Sequence, residues 1–240
     1  MTTTKIACLA FLAVSSAFAQ PTSAIGTLQG FVTDSQGRPL AGTEVTYQQL
    51  VPATNARASH VPSGPVAQGQ VTTDADGEFS VAGLPSGNYV LCAEVAPAPY
   101  LDPCIWQQPI QVTVPAGGTS SQAVILTKGV FLKVRVNDLM GLLPQTVDGL
   151  WTPRKLLVGV QYARGAYQGA QNTAVDTGGH DYQLVIPTGV PFWLRLFSRD
   201  VALKDAAGNT VDTSGSQIAF QAAAGQDRAF TFTVSGPATQ

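Results

Sequence analysis

The 240-residue sequence predicts an all-β protein, two tandem β-sandwich modules behind a cleaved export leader. Three observations predict it. Charged residues make up only 12% of the chain and hydrophobic residues 45%, with 24 Gly and 16 Pro as punctuation. Apolar and polar residues alternate in short runs, the period of two of strands with one buried face. These runs recur about every 8–12 residues between Gly, Pro and Asp, the spacing of a sandwich.

The same figures exclude other classes. Disordered chains are charge-rich and poor in aliphatics. Helical bundles are rich in Ala, Glu, Lys, Leu and Arg, whereas this chain has three Glu in all, Glu44, Glu78 and Glu94. A net charge of −2 with no basic cluster argues against a nucleic-acid partner.

Residues 1–19, MTTTKIACLAFLAVSSAFA, read as a signal peptide. Lys5 is the positive n-region, Ile6 to Val14 form an apolar core too short for a membrane-spanning helix, and Ala17-Phe18-Ala19 supplies the small-x-small cleavage pattern. Cleavage after Ala19 makes the chain secreted, periplasmic or displayed at the cell surface. Cys8 lacks a lipobox, and no later stretch is long enough for a transmembrane helix. Removing Cys8 leaves Cys92 and Cys104, an even pair that favours a disulfide in an exported chain, with two free buried thiols as the alternative.

The first module, residues 20–127, opens with GTLQGFVTDSQGRPLAGTEVTYQQL. Leu28, Gly30 and Val32 alternate with polar or outward residues; Asp34 to Gly37 is a turn; Thr43 to Leu50 is a second strand. After a loop at 51–69 come Val71 and Thr73, a turn at Asp74 to Gly77, a return strand with Phe79 and Val81, a turn at Leu84 to Gly87, and a strand with Tyr89 and Leu91. Residues 105–114 and 122–127 are two more strand candidates. Phe79, Val81, Tyr89 and Leu91 are expected to face inward.

These motifs resemble a carboxypeptidase regulatory-like domain. Gly30, Val32, Asp34, Gly37, Pro39, Leu40, Gly42 and Val45 match its first signature. Thr73, Asp74, Gly77, Phe79, Val81, Leu84, Pro85, Gly87 and Tyr89 match its second. The resemblance covers about residues 26–127. It implies a seven-stranded sandwich of transthyretin-like, immunoglobulin-like type, also similar to starch-binding modules. It implies no catalytic residues, because the family is appended to peptidases, glycan-processing proteins and outer-membrane receptors.

The second module, residues 128–240, is more degenerate. Val130, Leu132, Val134 and Val136 mark one strand and LLVGVQYA another. DTGGHDYQLVIPTGVPFWLRLF overlays the first module's second signature, with Tyr182 on Phe79, Leu184 on Val81, Phe192 on Tyr89 and Leu194 on Leu91. The overlay reads either as an internal repeat or as chance likeness of two hairpins.

Candidate chemistry is sparse. Asp74, Asp76 and Glu78 begin like a calcium loop, but its twelfth position is Pro85 where a carboxylate is needed, so no metal or cofactor is expected. No nucleophile motif occurs. His60 lies in the loop and His180 beside a turn, where it is expected to be solvated. Two enzyme families of similar topology, hydroxyisourate hydrolases and intradiol dioxygenases, are disfavoured because their motifs are missing. Binding remains. Sugars stack on aromatic rings, so Trp151, Tyr162, Tyr167 and Tyr100 are the carbohydrate-binding candidates, while Trp106 is expected to pack under the Cys104 loop. The expected function is a non-catalytic exported binding module with a glycan or protein ligand; the alternative is a scaffold docking a secreted or outer-membrane partner.

Overall fold

A computed structural model describes residues 24–50, 67–144, 156–162, 166–215 and 217–238. The leader at 1–19, His60 and Trp151 lie outside these residues.

Alternation sets the first strand. In β1 (Ile25–Asp34) Leu28, Gly30, Val32 and Asp34 point inward. It pairs antiparallel with β4 (Glu78–Pro85) and parallel with β7 (Thr119–Leu126), giving the sheet order β4-β1-β7. The facing sheet is β3-β2-β5-β6, from β2 (Glu44–Gln49), β3 (Gln68–Thr72), β5 (Gly87–Glu94) and β6 (Ile110–Val114). Between the sheets Leu28, Val32, Val45, Phe79, Tyr89, Leu91, Val124 and Leu126 form one core, with Val81 packed at its margin. Each fully buried aliphatic or aromatic side chain stabilises by about 1.5–3 kcal/mol.

Polar signature residues close the turns. The Asp34 carboxylate accepts the backbone N–H of Gln36 at 2.8 Å and of Arg38 at 3.0 Å. Asp74 accepts those of Asp76 and Glu78 at 3.0 and 2.9 Å, and Asp205 those of Ala207 and Asn209 at 2.9 and 2.8 Å. The Asp-x-x-Gly turn with this side-chain pattern recurs at Asp34, Asp74 and Asp205, and in it the Asp74 oxygen serves backbone N–H groups. The Tyr89 hydroxyl, on a fully buried ring, donates to the Pro85 carbonyl at 2.7 Å and braces the Leu84–Gly87 reversal.

The second sandwich repeats this pairing strand for strand. Its strands are β8 (Val130–Asn137), β9 (Leu157–Tyr162), β10 (Tyr167–Gly169), β11 (Gln171–Asp176), β12 (Gly179–Ile186), β13 (Pro191–Phe197), β14 (Val201–Asp205), β15 (Thr210–Val211), β16 (Ile218–Gln221) and β17 (Arg228–Pro237). β12-β8-β17 reproduces β4-β1-β7, antiparallel then parallel, and β10-β9-β13-β16 reproduces β3-β2-β5-β6. β11 and the β14-β15 pair extend the first of these sheets to six strands. Phe192 and Leu194 are buried as Tyr89 and Leu91 are.

Two expectations are corrected. Residues 103–106 are a helical turn, α1 (Pro103–Trp106), and the strand expected over 105–114 starts only at Ile110. The Asp102 side chain caps that turn by accepting the Cys104 N–H at 2.8 Å, and Pro103 supplies a preset first helical residue. His180 is not solvated. It is 2% exposed, on the inward face of β12 with Tyr182 and Leu184. Asn172 Nδ2 donates to its Nδ1 at 3.2 Å, its ring stacks on Tyr182, and its Nε2 has no partner.

Candidate functional site

The segment after β5 decides how the two sandwiches meet. Cys92 on β5 and Cys104 on α1 form a disulfide with a Cα–Cα distance of 5.3 Å. The chain between them runs back along the link to the second sandwich. Leu101 N–H donates to Thr127 O at 2.9 Å and Gly129 N–H to Pro99 O at 2.7 Å, with Tyr100 bridged to Lys128. Only glycine fits at 129: a Cβ would lie 2.6 Å from Ile186 O and 2.8 Å from Leu101 Cδ2.

The helical turn then carries a ring across the boundary. Trp106 lies 5.9 Å from Phe192, edge-on at 79°, and 6.1 Å from Tyr162. Tyr162 meets Phe192 at 6.4 Å and 80°. Trp106, expected to pack under the Cys104 loop, packs instead against the core of the second sandwich.

Between these parts lies a cleft of about 220 Å³. One wall comes from the first sandwich, with Glu94, Pro97, Tyr100, Asp102, Ile105 and Trp106. The opposite wall comes from the second, with Phe131, Gln168, Gln171, Thr173 and Gln183. Tyr100, Ile105 and Trp106 thus face side-chain amides, a hydroxyl and the Phe131 ring. Among the described residues, two carboxylates line the cleft and no Lys or Arg does. Burial pushes the Asp102 carboxyl up, against the backbone N–H bonds from Cys104 and Ala93 that favour its anion. Asp102 also sits with Cys92 and Cys104 in the one group of potential metal ligands among the described residues, but the disulfide engages both sulfurs.

The four aromatic candidates separate. Tyr100 lines the cleft and Tyr162 is packed behind it in the Trp106–Phe192 cluster. Tyr167 points elsewhere, against Phe197 at 5.8 Å with its ring over Gly159. Trp151 is outside the described residues. The amide wall was missed in the sequence, as was Trp193, which alternation in PFWLRLF sets on the outer face with Arg195 and Phe197.

Comparisons with known proteins bear on the fold. Residues 27–127 match the carboxypeptidase regulatory-like domain. No curated protein matches the chain. Among solved structures, a streptococcal ancillary pilin is 15% identical, with 88% of this chain and 63% of that one covered and a TM-score of 0.41. The TIE protein of Bacillus anthracis is 14% identical over 88% of this chain and 34% of its own, with a TM-score of 0.34. The shaft pilin SpaA of Lactobacillus rhamnosus GG is 10% identical over 90% and 100%, with a TM-score of 0.33. This chain therefore spans about a third of the TIE protein and just under two thirds of the ancillary pilin. With both signatures in place, seven strands in two facing sheets and this match, the first sandwich is a carboxypeptidase regulatory-like domain.

Proposed function

We propose that the protein is a non-catalytic, exported binding module whose ligand is a glycan held in the cleft between the sandwiches. On this reading the leader is removed after Ala19, and residues 20–127 and 128–240 are two modules, the second a diverged copy of the first. The shared strand pairing supports the copy. The observation that carries the glycan reading is the pairing of Tyr100, Ile105 and Trp106 with Gln168, Gln171, Gln183 and Thr173 across one cleft, with Phe131 beside the amides. Sugar C–H faces suit the rings, and amides bond to hydroxyls in pairs. The volume is below the roughly 300–1,000 Å³ of drug-sized sites, so it suits one sugar unit of a longer chain.

Pull-down on insoluble polysaccharides and a glycan array test this. Retention of at least one glycan, weakened about tenfold by Tyr100→Ala and by Gln183→Ala, is the expected result. Retention unchanged by both substitutions removes the cleft from the reading; a loss confined to Trp151→Ala moves the site to that ring.

One observation favours a second reading, docking of a protein partner by strand addition. β7 is the outer strand of its sheet, and Phe31 and Ile125 are exposed on that sheet's outer side. Failure to retain any glycan would favour it.

A further inference from the structure

The cleft wall that carries Asp102, Ile105 and Trp106 is anchored before α1 by backbone bonds at Asp102, Leu101 and Pro99, and α1 itself is held by few contacts. α1 has four residues, fewer than an isolated helix needs, because nucleation costs more than one turn returns. Its cap is its own Asp102 side chain. One covalent tie holds it to the first sandwich, the Cys92–Cys104 disulfide, and both cysteines are only half-buried. Its hold on the second sandwich is the Trp106 ring against Tyr162 and Phe192. The two holds act together: the disulfide fixes where α1 stands, and that position delivers the ring.

We propose that the Cys92–Cys104 disulfide gates the cleft, so that its reduction by a dithiol releases α1, withdraws Trp106 from the second sandwich and removes one wall of the binding site. This rests on the glycan reading for its consequence, though not for the release itself. The exchange balances in two steps. A thiolate of the dithiol attacks one cystine sulfur, forming a mixed disulfide, and the other cysteine leaves as a thiolate that takes a proton. The second thiol of the reductant then closes its own disulfide and expels the remaining cysteine. Two electrons pass from dithiol to cystine. The leaving thiolate forms beside a carboxylate, since the Asp102 oxygen lies within 4.8 Å of both sulfurs. That charge disfavours the thiolate, so the gate opens slowly with weak thiols and faster once Asp102 is neutralised.

Emission, circular dichroism and alkylation are read on the leader-cleaved chain carrying Trp151→Phe and Trp193→Phe, which leaves Trp106 as the single tryptophan and Cys92 and Cys104 as the two cysteines, and retention is read on the leader-cleaved wild-type sequence. Treatment with dithiothreitol is followed by thiol alkylation and mass spectrometry, Trp106 emission, far-UV circular dichroism and polysaccharide pull-down. Two alkylated thiols, a red-shifted Trp106, an intact β signal and at least about tenfold weaker retention are expected, all reversed by reoxidation. Asp102→Asn, which keeps the cap, is expected to speed reduction. Unchanged Trp106 emission in protein shown to be reduced overturns the gate, whatever happens to glycan. Collapse of the β signal also overturns it, because the disulfide would then hold the whole sandwich. Unshifted retention after release of Trp106 overturns the link to the cleft. Oxidised protein that retains no glycan sinks the glycan reading alone, and the Trp106 shift still decides the release.

Discussion

Trp106 and Phe192 lie edge to face, 5.9 Å apart at 79°, although one belongs to the first sandwich and the other to the core of the second. An aromatic pair of this geometry contributes about 0.5–1.5 kcal/mol beyond the area it buries. The tryptophan is therefore a joint between the two sandwiches. Trp106→Ala is expected to destabilise the second sandwich by about 2–3 kcal/mol, below the ~3–5 of a fully buried aromatic. Denaturant unfolding should show the loss, with the two sandwiches separating into distinct transitions. A single transition at the wild-type midpoint would show that the ring merely covers the surface.

Tyr89→Phe isolates the hydroxyl of the second signature. The ring stays in place, but the Pro85 carbonyl loses its 2.7 Å partner. The expected cost is about 1–2 kcal/mol in thermal or chemical unfolding. No measurable change would mean that water replaces the hydroxyl.

Gly129→Ala tests the link between the sandwiches. The new methyl would meet a backbone oxygen, Ile186 O, at 2.6 Å, and a carbonyl in a paired strand cannot move aside cheaply. A loss of about 1–3 kcal/mol is expected, together with faster protease cutting near residue 128. A protease-resistant variant of wild-type stability would show the link to be loosely held.

His180 makes the second sandwich acid-sensitive. Burial holds its imidazole below the ordinary value near 6.5; Asp138, Asp176 and Asp181 pull it up and Arg135 pulls it down. Because the folded value is depressed, the unfolded chain takes up the proton first as pH falls. The stability is complete above about pH 6.5 and is lost as pH falls through that value toward the folded one. The carboxylates with depressed values, such as Asp176 at about 2, titrate far below this window. Melting temperature is expected to fall between pH 7.5 and 5.5 in the wild type and to stay level in His180→Phe. Parallel profiles for the two proteins would remove His180 as the cause.

Local signals explain what could be seen in advance. Each Asp-x-x-Gly turn is set by atoms within four residues, so Asp34, Asp74 and Asp205 declare themselves in the sequence. Leu28, Val45, Phe79 and Leu91 announce their burial by alternation, because a one-residue slip would turn each to solvent. His180 obeys the same alternation, and only its polarity and its neighbouring turn suggested otherwise. The site was far less legible. Tyr100 stood out as an aromatic, but Gln168, Gln171 and Gln183 resemble any other polar face until the second sandwich is set against the first. The partner of Trp106 is 86 residues away in Phe192, a contact that no local pattern encodes.

The parallel pairing of β1 with β7, and of β8 with β17, carries a mechanical consequence. In each sandwich the entering and departing strands are hydrogen-bonded neighbours running the same way. Tension along the chain would pull such a pair lengthwise in opposite directions. Its whole ladder would bear the force at once, as a glued lap joint does, instead of opening one rung at a time. The two ladders lie in series along the backbone, so a stretched chain would load both.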